Sequence, residues 1–152
     1  MAFSPIASAE PALVATATLV VLLLAVLAVF GQSATLTVNV RGFSNDKGSA
    51  MAALYDDAGA YPTKEAKSKD KQMVKIVEGA AVFTFKGVAP GTYAVAVYHD
   101  ENGNGKMDTN FIGIPKEKTG ASNDAKGKMG PPKFQDAKFV VSGDLTISIT
   151  MQ

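Results

Sequence analysis

The chain has no cysteine, no tryptophan and a single histidine in 152 residues. Without cysteine it cannot form disulfides, zinc–thiolate sites or a cysteine nucleophile. One imidazole also leaves zinc and copper without the further histidine or thiolate partners that they usually require. An excess of charge of one sign is missing too, since the formal net charge is +1. Nucleic-acid binders normally gather a basic excess on one face, so nucleic acid is excluded as a partner.

Charged residues are also absent from Ala12 to Phe30, an apolar run without a strong helix breaker. As a helix the run would extend about 28 Å, close to the hydrocarbon core of a bilayer, which is roughly 30 Å thick. It is longer than the apolar part of an ordinary signal peptide, and the tail of residues 1–11 carries Glu10 but no Lys or Arg. The run predicts a retained transmembrane anchor. Cleavage after Ser33, as in a signal peptide, is the alternative.

From Ala34 onward, apolar and polar residues alternate, which is typical of half-buried strands. Turn-forming Gly, Pro, Asn and Asp residues separate the alternating segments. The predicted strands cover residues 35–40, 50–55, 72–77, 81–86, 92–99, 137–141 and 145–151, and the first two are expected to pair as a hairpin. Seven short strands predict an all-β domain over residues 34–152, a sandwich of two antiparallel sheets.

Residues 100–136 interrupt this rhythm with a connection far longer than most loops in compact domains. Its first residues follow the spacing of a calcium-binding loop, in which alternate oxygens converge on one ion. Positions 1, 3, 5, 7 and 9 of such a loop would be Asp100, Asn102, Asn104, the carbonyl of Lys106, and Asp108, with Gly105 at the sharp turn of position 6.

Position 12 departs from the calcium pattern, because Phe111 stands where a bidentate glutamate is required. Two carboxylates would then face the ion, with Glu101 as an outside candidate, so the spacing predicts a weak Ca²⁺ site that fills at millimolar concentrations. The alternative is a loop of tight turns in which Asp100 and Asp108 cap backbone amides. Spacing alone leaves both interpretations open.

The residues that an enzyme would need are few. His99 and Ser122 have no surrounding motif, such as a nucleophile elbow, that would bring them together. The sequence therefore predicts a non-enzymatic protein, in which His99 is partly buried and anchors the long connection by a hydrogen bond. Tyr93, which follows Pro90 and Gly91, resembles a corner tyrosine whose hydroxyl bonds nearby backbone.

Apolar residues within the polar connection require an explanation of their own. They are Phe111, Ile112, Ile114, Pro115 and Phe134. We expect them to fold back over an open sheet edge, since such edges invite unwanted pairing. The alternative is an exposed contact patch.

Several segments are specific enough to suggest a family. They are residues 91–108 (GTYAVAVYHDENGNGKMD), 111–117 (FIGIPKE), 121–125 (ASNDA) and 130–137 (GPPKFQDA). They closely resemble the uncharacterised DUF2141 family, and the resemblance extends over roughly residues 34–152. It implies a small exported protein with a transthyretin-like or immunoglobulin-like sandwich and no established catalytic activity. The resemblance says little about residues 1–33, where a typical member would show an ordinary signal peptide.

Together these features predict a membrane-anchored protein whose sandwich lies in the periplasm or another extracytoplasmic space. We expect a structural or accessory subunit docked on a larger membrane protein complex, such as an energy-transducing one. The alternative is an exported binding module, secreted if the signal is cleaved. Such a module would use the 100–136 loop, with or without calcium, to hold a small ligand, a glycan or a protein.

Overall fold

The computed structural model describes residues 33–152, so the predicted tail (1–11) and anchor (12–30) lie outside the described residues. Within that part, no helix has the length and hydropathy needed to cross a membrane. The strands there are β1 (Ala34–Arg41), β2 (Ser49–Tyr55), β3 (Asp70–Val74), β4 (Ala80–Val88), β5 (Gly91–Asp100), β6 (Thr119–Ala121), β7 (Phe139–Val141) and β8 (Leu145–Thr150). Helical structure in residues 33–152 is limited to two 3₁₀ turns, Glu65–Lys67 and Ser122–Asp124, and the short helix α1 (Phe134–Ala137).

The strands form two sheets. The smaller sheet has the order β4-β1-β8, and the larger has the order β3-β2-β5-β6, with β7 also paired to β5. The predicted mostly-β domain of two sheets is therefore confirmed, but residues 33–152 contain eight strands rather than seven, because β6 was not anticipated. The expected β1–β2 hairpin is wrong, since these strands belong to different sheets, and β1 pairs with β8 in parallel. The immunoglobulin-like or transthyretin-like topology stays a prediction.

Alternation along the strands explains how the two sheets pack. Leu36, Val38 and Val40 of β1 are buried, and their alternating neighbours are at least partly exposed. They join one apolar cluster with residues of the other sheet, such as Leu54 and Val95. Burial of apolar side chains between the sheets, at roughly 25 cal/mol per Å² of area removed from water, is the main force that holds the sheets together.

Strand β5 is buried on both faces because a second, smaller cluster covers its outer side. That cluster comprises Ala53, Tyr55, Ala60, Tyr61, Ala94 and Ala137, with Phe134 packed against it. At the start of β5, the Tyr93 hydroxyl donates to the carbonyl of Ala89 at 2.9 Å, which confirms the predicted corner tyrosine. The long connection begins at the end of β5, and β7, which follows the connection, pairs with the start of β5. Both ends of the connection are therefore positioned by β5.

The second cluster contains two tyrosines whose hydroxyl groups can be tested against each other. Among residues 33–152 the buried Tyr61 hydroxyl has no hydrogen-bond partner, whereas the Tyr55 hydroxyl donates to the Pro62 carbonyl at 3.0 Å. Tyr61→Phe is expected to leave the free energy of unfolding unchanged or raise it by up to about 1 kcal/mol, because it removes an unsatisfied buried group. Tyr55→Phe should lower it by about 1 kcal/mol. Chemical denaturation measures both, and equal losses would contradict the assignment.

The two ends of the sandwich are distinct. The chain enters the domain at Ala34, which pairs with Val88, and β1 then rises about 3.3 Å per residue to Arg41 at the other end. There the Lys118 ammonium donates to the Gly42 carbonyl at 3.0 Å, and Asp100 pairs with Ser49. The first half of the long connection therefore starts and returns at the end remote from Ala34.

Candidate functional site

Asp100, the last residue of β5, organises the start of the long connection. Its side chain is buried, and its two carboxylate oxygens accept backbone N–H bonds from Asn104 at 3.0 Å and from Gly105 at 2.8 Å. Burial raises the pKa of Tyr98 to about 12, with nearby carboxylates adding to the effect. The protonated hydroxyl donates to the Gly105 carbonyl at 3.4 Å. Asp100 thus caps backbone amides, as the turn interpretation predicts.

Asp108 lies across the same loop but has different partners. Its carboxylate accepts from the side-chain amides of Asn102 and Asn104, the latter at 3.0 and 3.2 Å. The Asn104 side-chain oxygen in turn accepts from the Lys106 N–H at 2.8 Å. All five predicted calcium residues therefore belong to one hydrogen-bonded loop, although Asp108 accepts from side chains rather than from the predicted backbone amides.

The amide orientation bears on calcium binding. Calcium is held by oxygens at 2.3–2.6 Å, but Asn102 and Asn104 direct their NH₂ groups, not their oxygens, toward Asp108. Both amides would have to rotate before their oxygens could face an ion beside that carboxylate. Among residues 33–152, no three His, Asp or Glu side chains are grouped closely enough to hold a metal. The calcium site stays a prediction.

Glu117 belongs to the same loop and was not predicted. Its carboxylate accepts from the backbone N–H groups of Glu101 and Asp108, each at 3.1 Å. The chain returns to this place because Thr109 and Pro115 form a bridge that reverses its direction. The sequence signal that could have indicated this reversal is the Asn-Phe-Ile-Gly segment, which lies between two polar segments. Glu117 thus joins the two ends of the loop by accepting from the backbone of Glu101 and of Asp108.

Phe111, Ile112 and Ile114 form a projecting turn that we call the apolar tip. The exposed fractions of these residues are 98%, 64% and 52%. The side-chain oxygen of Asn110 accepts from the N–H groups of Ile112 at 3.0 Å and Ile114 at 2.9 Å, which holds the turn closed. The expectation that these residues cover a sheet edge is wrong, because the Asn110-centred turn directs them outward. Of the predicted group, Phe134 alone packs inward, with its ring 5.8 Å from that of Tyr61.

His99 has a structural role different from the predicted one. It is buried, its Nε2 donates to the Lys47 carbonyl at 2.8 Å, and its ring meets the Phe43 ring edge-to-face at 5.3 Å. The histidine therefore anchors the segment between β1 and β2, not the long connection. The direction of its hydrogen bond could not be read from the sequence because Lys47 lies 52 positions away.

Ser122 is also buried and fully engaged. Its hydroxyl donates to the Ala137 carbonyl at 2.6 Å and accepts from the Val95 N–H at 2.9 Å. Val95 and His99 are four residues apart on the same strand, which corresponds to about 13 Å. The two side chains of the weighed nucleophile–base pair are thus used at separate places in the fold.

The two residues that follow Ser122 also hydrogen-bond to backbone that is distant in sequence. The Asn123 side-chain amide donates to the carbonyls of Asp136 at 3.2 Å and Lys138 at 2.9 Å. The Asp124 carboxylate accepts from the Thr150 N–H of β8 at 2.7 Å. The Ser-Asn-Asp sequence therefore joins β5, the α1 region and β8 around the end of β6.

Comparison with known proteins gives a family without an assigned activity. A family model described as "Uncharacterized protein conserved in bacteria (DUF2141)" matches residues 38–148. No curated protein matches the chain, and no solved structure matches it. The matched range includes the whole loop with calcium-site spacing, the apolar tip and the Ser-Asn-Asp sequence.

Proposed function

The chain belongs to the DUF2141 family, and we propose that it is a non-enzymatic, extracytoplasmic accessory domain that docks on a larger membrane protein complex. The apolar run from Ala12 to Phe30 would anchor it. The observation that carries the docking role is the apolar tip, in which Phe111 is 98% exposed on a closed turn. A contiguous apolar projection of this kind is uncommon on a freely soluble surface and is typical of contact sites.

The hydrogen bonds that both candidate catalytic side chains make to backbone support a non-enzymatic role. The imidazole of His99 donates to a backbone carbonyl, and the hydroxyl of Ser122 bonds backbone on two sides. A nucleophile and its base must come within hydrogen-bond reach of each other. Both residues instead stabilise the domain, which fits a scaffold that presents a loop to a partner.

The decisive experiment is extraction of the full chain from its native membrane with a mild detergent, followed by intact-mass analysis. The proposal expects a mass that includes residues 1–33 and a constant set of copurifying subunits. A mature N-terminus near residue 34 would remove the anchor, and recovery of the protein alone would remove the accessory role.

A calcium-dependent binding module is the second candidate, favoured by the single hydrogen-bonded loop in which Asp100 accepts from Gly105 and Asp108 accepts from Asn104. If the loop binds calcium, the melting temperature of the wild-type chain should rise at millimolar Ca²⁺ and fall in chelator. Asp108→Asn should abolish that dependence, whereas Asp144→Asn, at the Thr35 N–H away from the loop, should preserve it. Titration calorimetry without calcium heat, together with a melting temperature indifferent to chelator, would remove this candidate.

A further inference from the structure

We infer that the apolar tip is the docking element itself, and that it inserts Phe111 and Ile112 into an uncharged apolar pocket of a protein partner. The inference rests on the proposed accessory function, whose contact surface it locates. Single exposed apolar residues are ordinary on protein surfaces. Here three of them occupy four consecutive positions at the summit of one turn.

The turn is held in shape before any partner arrives. Besides the two bonds accepted by its side chain, Asn110 donates its own N–H to the Ile114 carbonyl at 2.8 Å and accepts from the Gly113 N–H at 3.0 Å. Below the turn, the Lys116 N–H donates to the Asp108 carbonyl at 2.8 Å. A preformed turn loses little conformational entropy on binding, so exposed side chains on it can contribute most of their burial to affinity.

The charges around the tip favour a protein over a lipid surface. Segments that insert into membranes combine apolar residues with a basic excess, which anionic headgroups attract. Residues 101–118 carry equal numbers of opposite charges: Glu101, Asp108 and Glu117 against Lys106, Lys116 and Lys118. A balanced polar ring around an apolar centre is the usual composition of a protein–protein contact.

The test places a photo-crosslinking residue in the full chain, in its native membrane, by Phe111→p-benzoylphenylalanine. The matched control is Val82→p-benzoylphenylalanine, because Val82 is also apolar and 56% exposed but lies on the outer face of β4. We expect one discrete protein adduct from position 111 and none from position 82. Light-dependent adducts of equal yield at both positions would overturn the inference.

Affinity provides the second measurement, with the crosslinked protein purified and titrated against the full chain. Phe111→Ala should weaken binding by roughly tenfold or more, as expected for a central aromatic anchor. Val82→Ala should change it by less than about twofold. Unchanged affinity in Phe111→Ala would overturn the assignment of the tip.

Other occupants would appear as different results. Sedimentation with phosphatidylcholine vesicles, or with vesicles containing anionic lipid, that depends on Phe111 would replace the protein partner by a membrane. An adduct between two copies of the chain would replace it by self-association. A complex that copurifies normally with Phe111→Ala would refute the tip and keep the accessory function, whereas absence of any complex from the wild type would refute both.

Discussion

Gly48→Ala is expected to lower the free energy of unfolding by about 3 kcal/mol or more. Gly48 has φ +65°, and a Cβ there would lie 1.9 Å from the Asp100 carbonyl oxygen and 2.8 Å from the Glu101 carbonyl carbon. The added methyl would meet backbone on β5 rather than a flexible side chain. Relief requires moving either the β1–β2 segment or the start of the long connection.

Neither side can move away without losing other bonds. The Asp46 carboxylate accepts from the N–H groups of Glu78 at 2.9 Å and Gly79 at 2.8 Å, and the Lys47 carbonyl accepts from His99. Displacement of the segment would therefore leave several polar groups unpaired, at roughly 1–3 kcal/mol for each one that stays buried. The expected loss exceeds the strain of the backbone conformation alone.

Gly87→Ala separates the cost of the left-handed backbone conformation from the cost of the close approach to other backbone atoms. Gly87 has φ +73°, nearly that of Gly48. In the part of the chain that the structure describes, no atom beyond its two chain neighbours lies within 4 Å of the place that an added Cβ would take, so the substitution introduces conformational strain only. That strain is about 1–2 kcal/mol for a residue in the left-handed region. Denaturant unfolding of the two variants should differ by at least about 1 kcal/mol, and equal losses would show that close approach at Gly48 is tolerated.

Alternation in the sequence predicted which residues are buried much better than which strands pair. Leu36, Val38 and Val40 are buried as expected, because a period of two fixes the face of any strand. The same period carries no information about the neighbouring strand. The turn residues from Asn45 to Gly48 indicated a reversal of the chain, but the chain reverses by crossing to the opposite sheet.

Strand β6 illustrates what local sequence cannot reveal. Its three residues, Thr119–Ala121, are too few to show alternation, and their strand conformation depends on pairing with the middle of β5. Gly120 is required for a different reason, since a Cβ there would approach the Ile149 side chain to 2.8 Å. Such a requirement is set by β8, which follows much later in the chain.

The candidate site was predictable to the extent that its residues are close in sequence. The spacing of Asp100, Asn104 and Asp108 anticipated a shared loop, because alternate residues of a tight turn converge. The participation of Glu117 and the exposure of Phe111 depend on where the chain reverses between them. That reversal is governed by the side chain of Asn110, a single residue whose bonding cannot be inferred from composition.

Ser122→Ala should lower the free energy of unfolding by roughly 2–6 kcal/mol, although it removes only one oxygen atom. Along β5, β6 ends its pairing at Ala96 and β7 begins at Tyr93, so Val95 lies in a gap between two partners. The Ser122 hydroxyl fills that gap by accepting from the Val95 N–H and donating to the Ala137 carbonyl. Alanine would leave both backbone groups buried without a partner, at roughly 1–3 kcal/mol each.

Ser148→Ala is the matched control, because Ser148 is exposed on the outer face of β8. It should change the free energy of unfolding by no more than about 0.5 kcal/mol. Hydrogen exchange gives a sharper readout, since loss of Ser122 should accelerate exchange of the Val95 amide far more than that of Val38 in the other sheet. Unaltered protection of the Val95 amide in Ser122→Ala would show that the hydroxyl does not complete the backbone hydrogen bonding of β5. The Ser-Asn-Asp sequence would then need an explanation other than joining β5 to the end of the long connection.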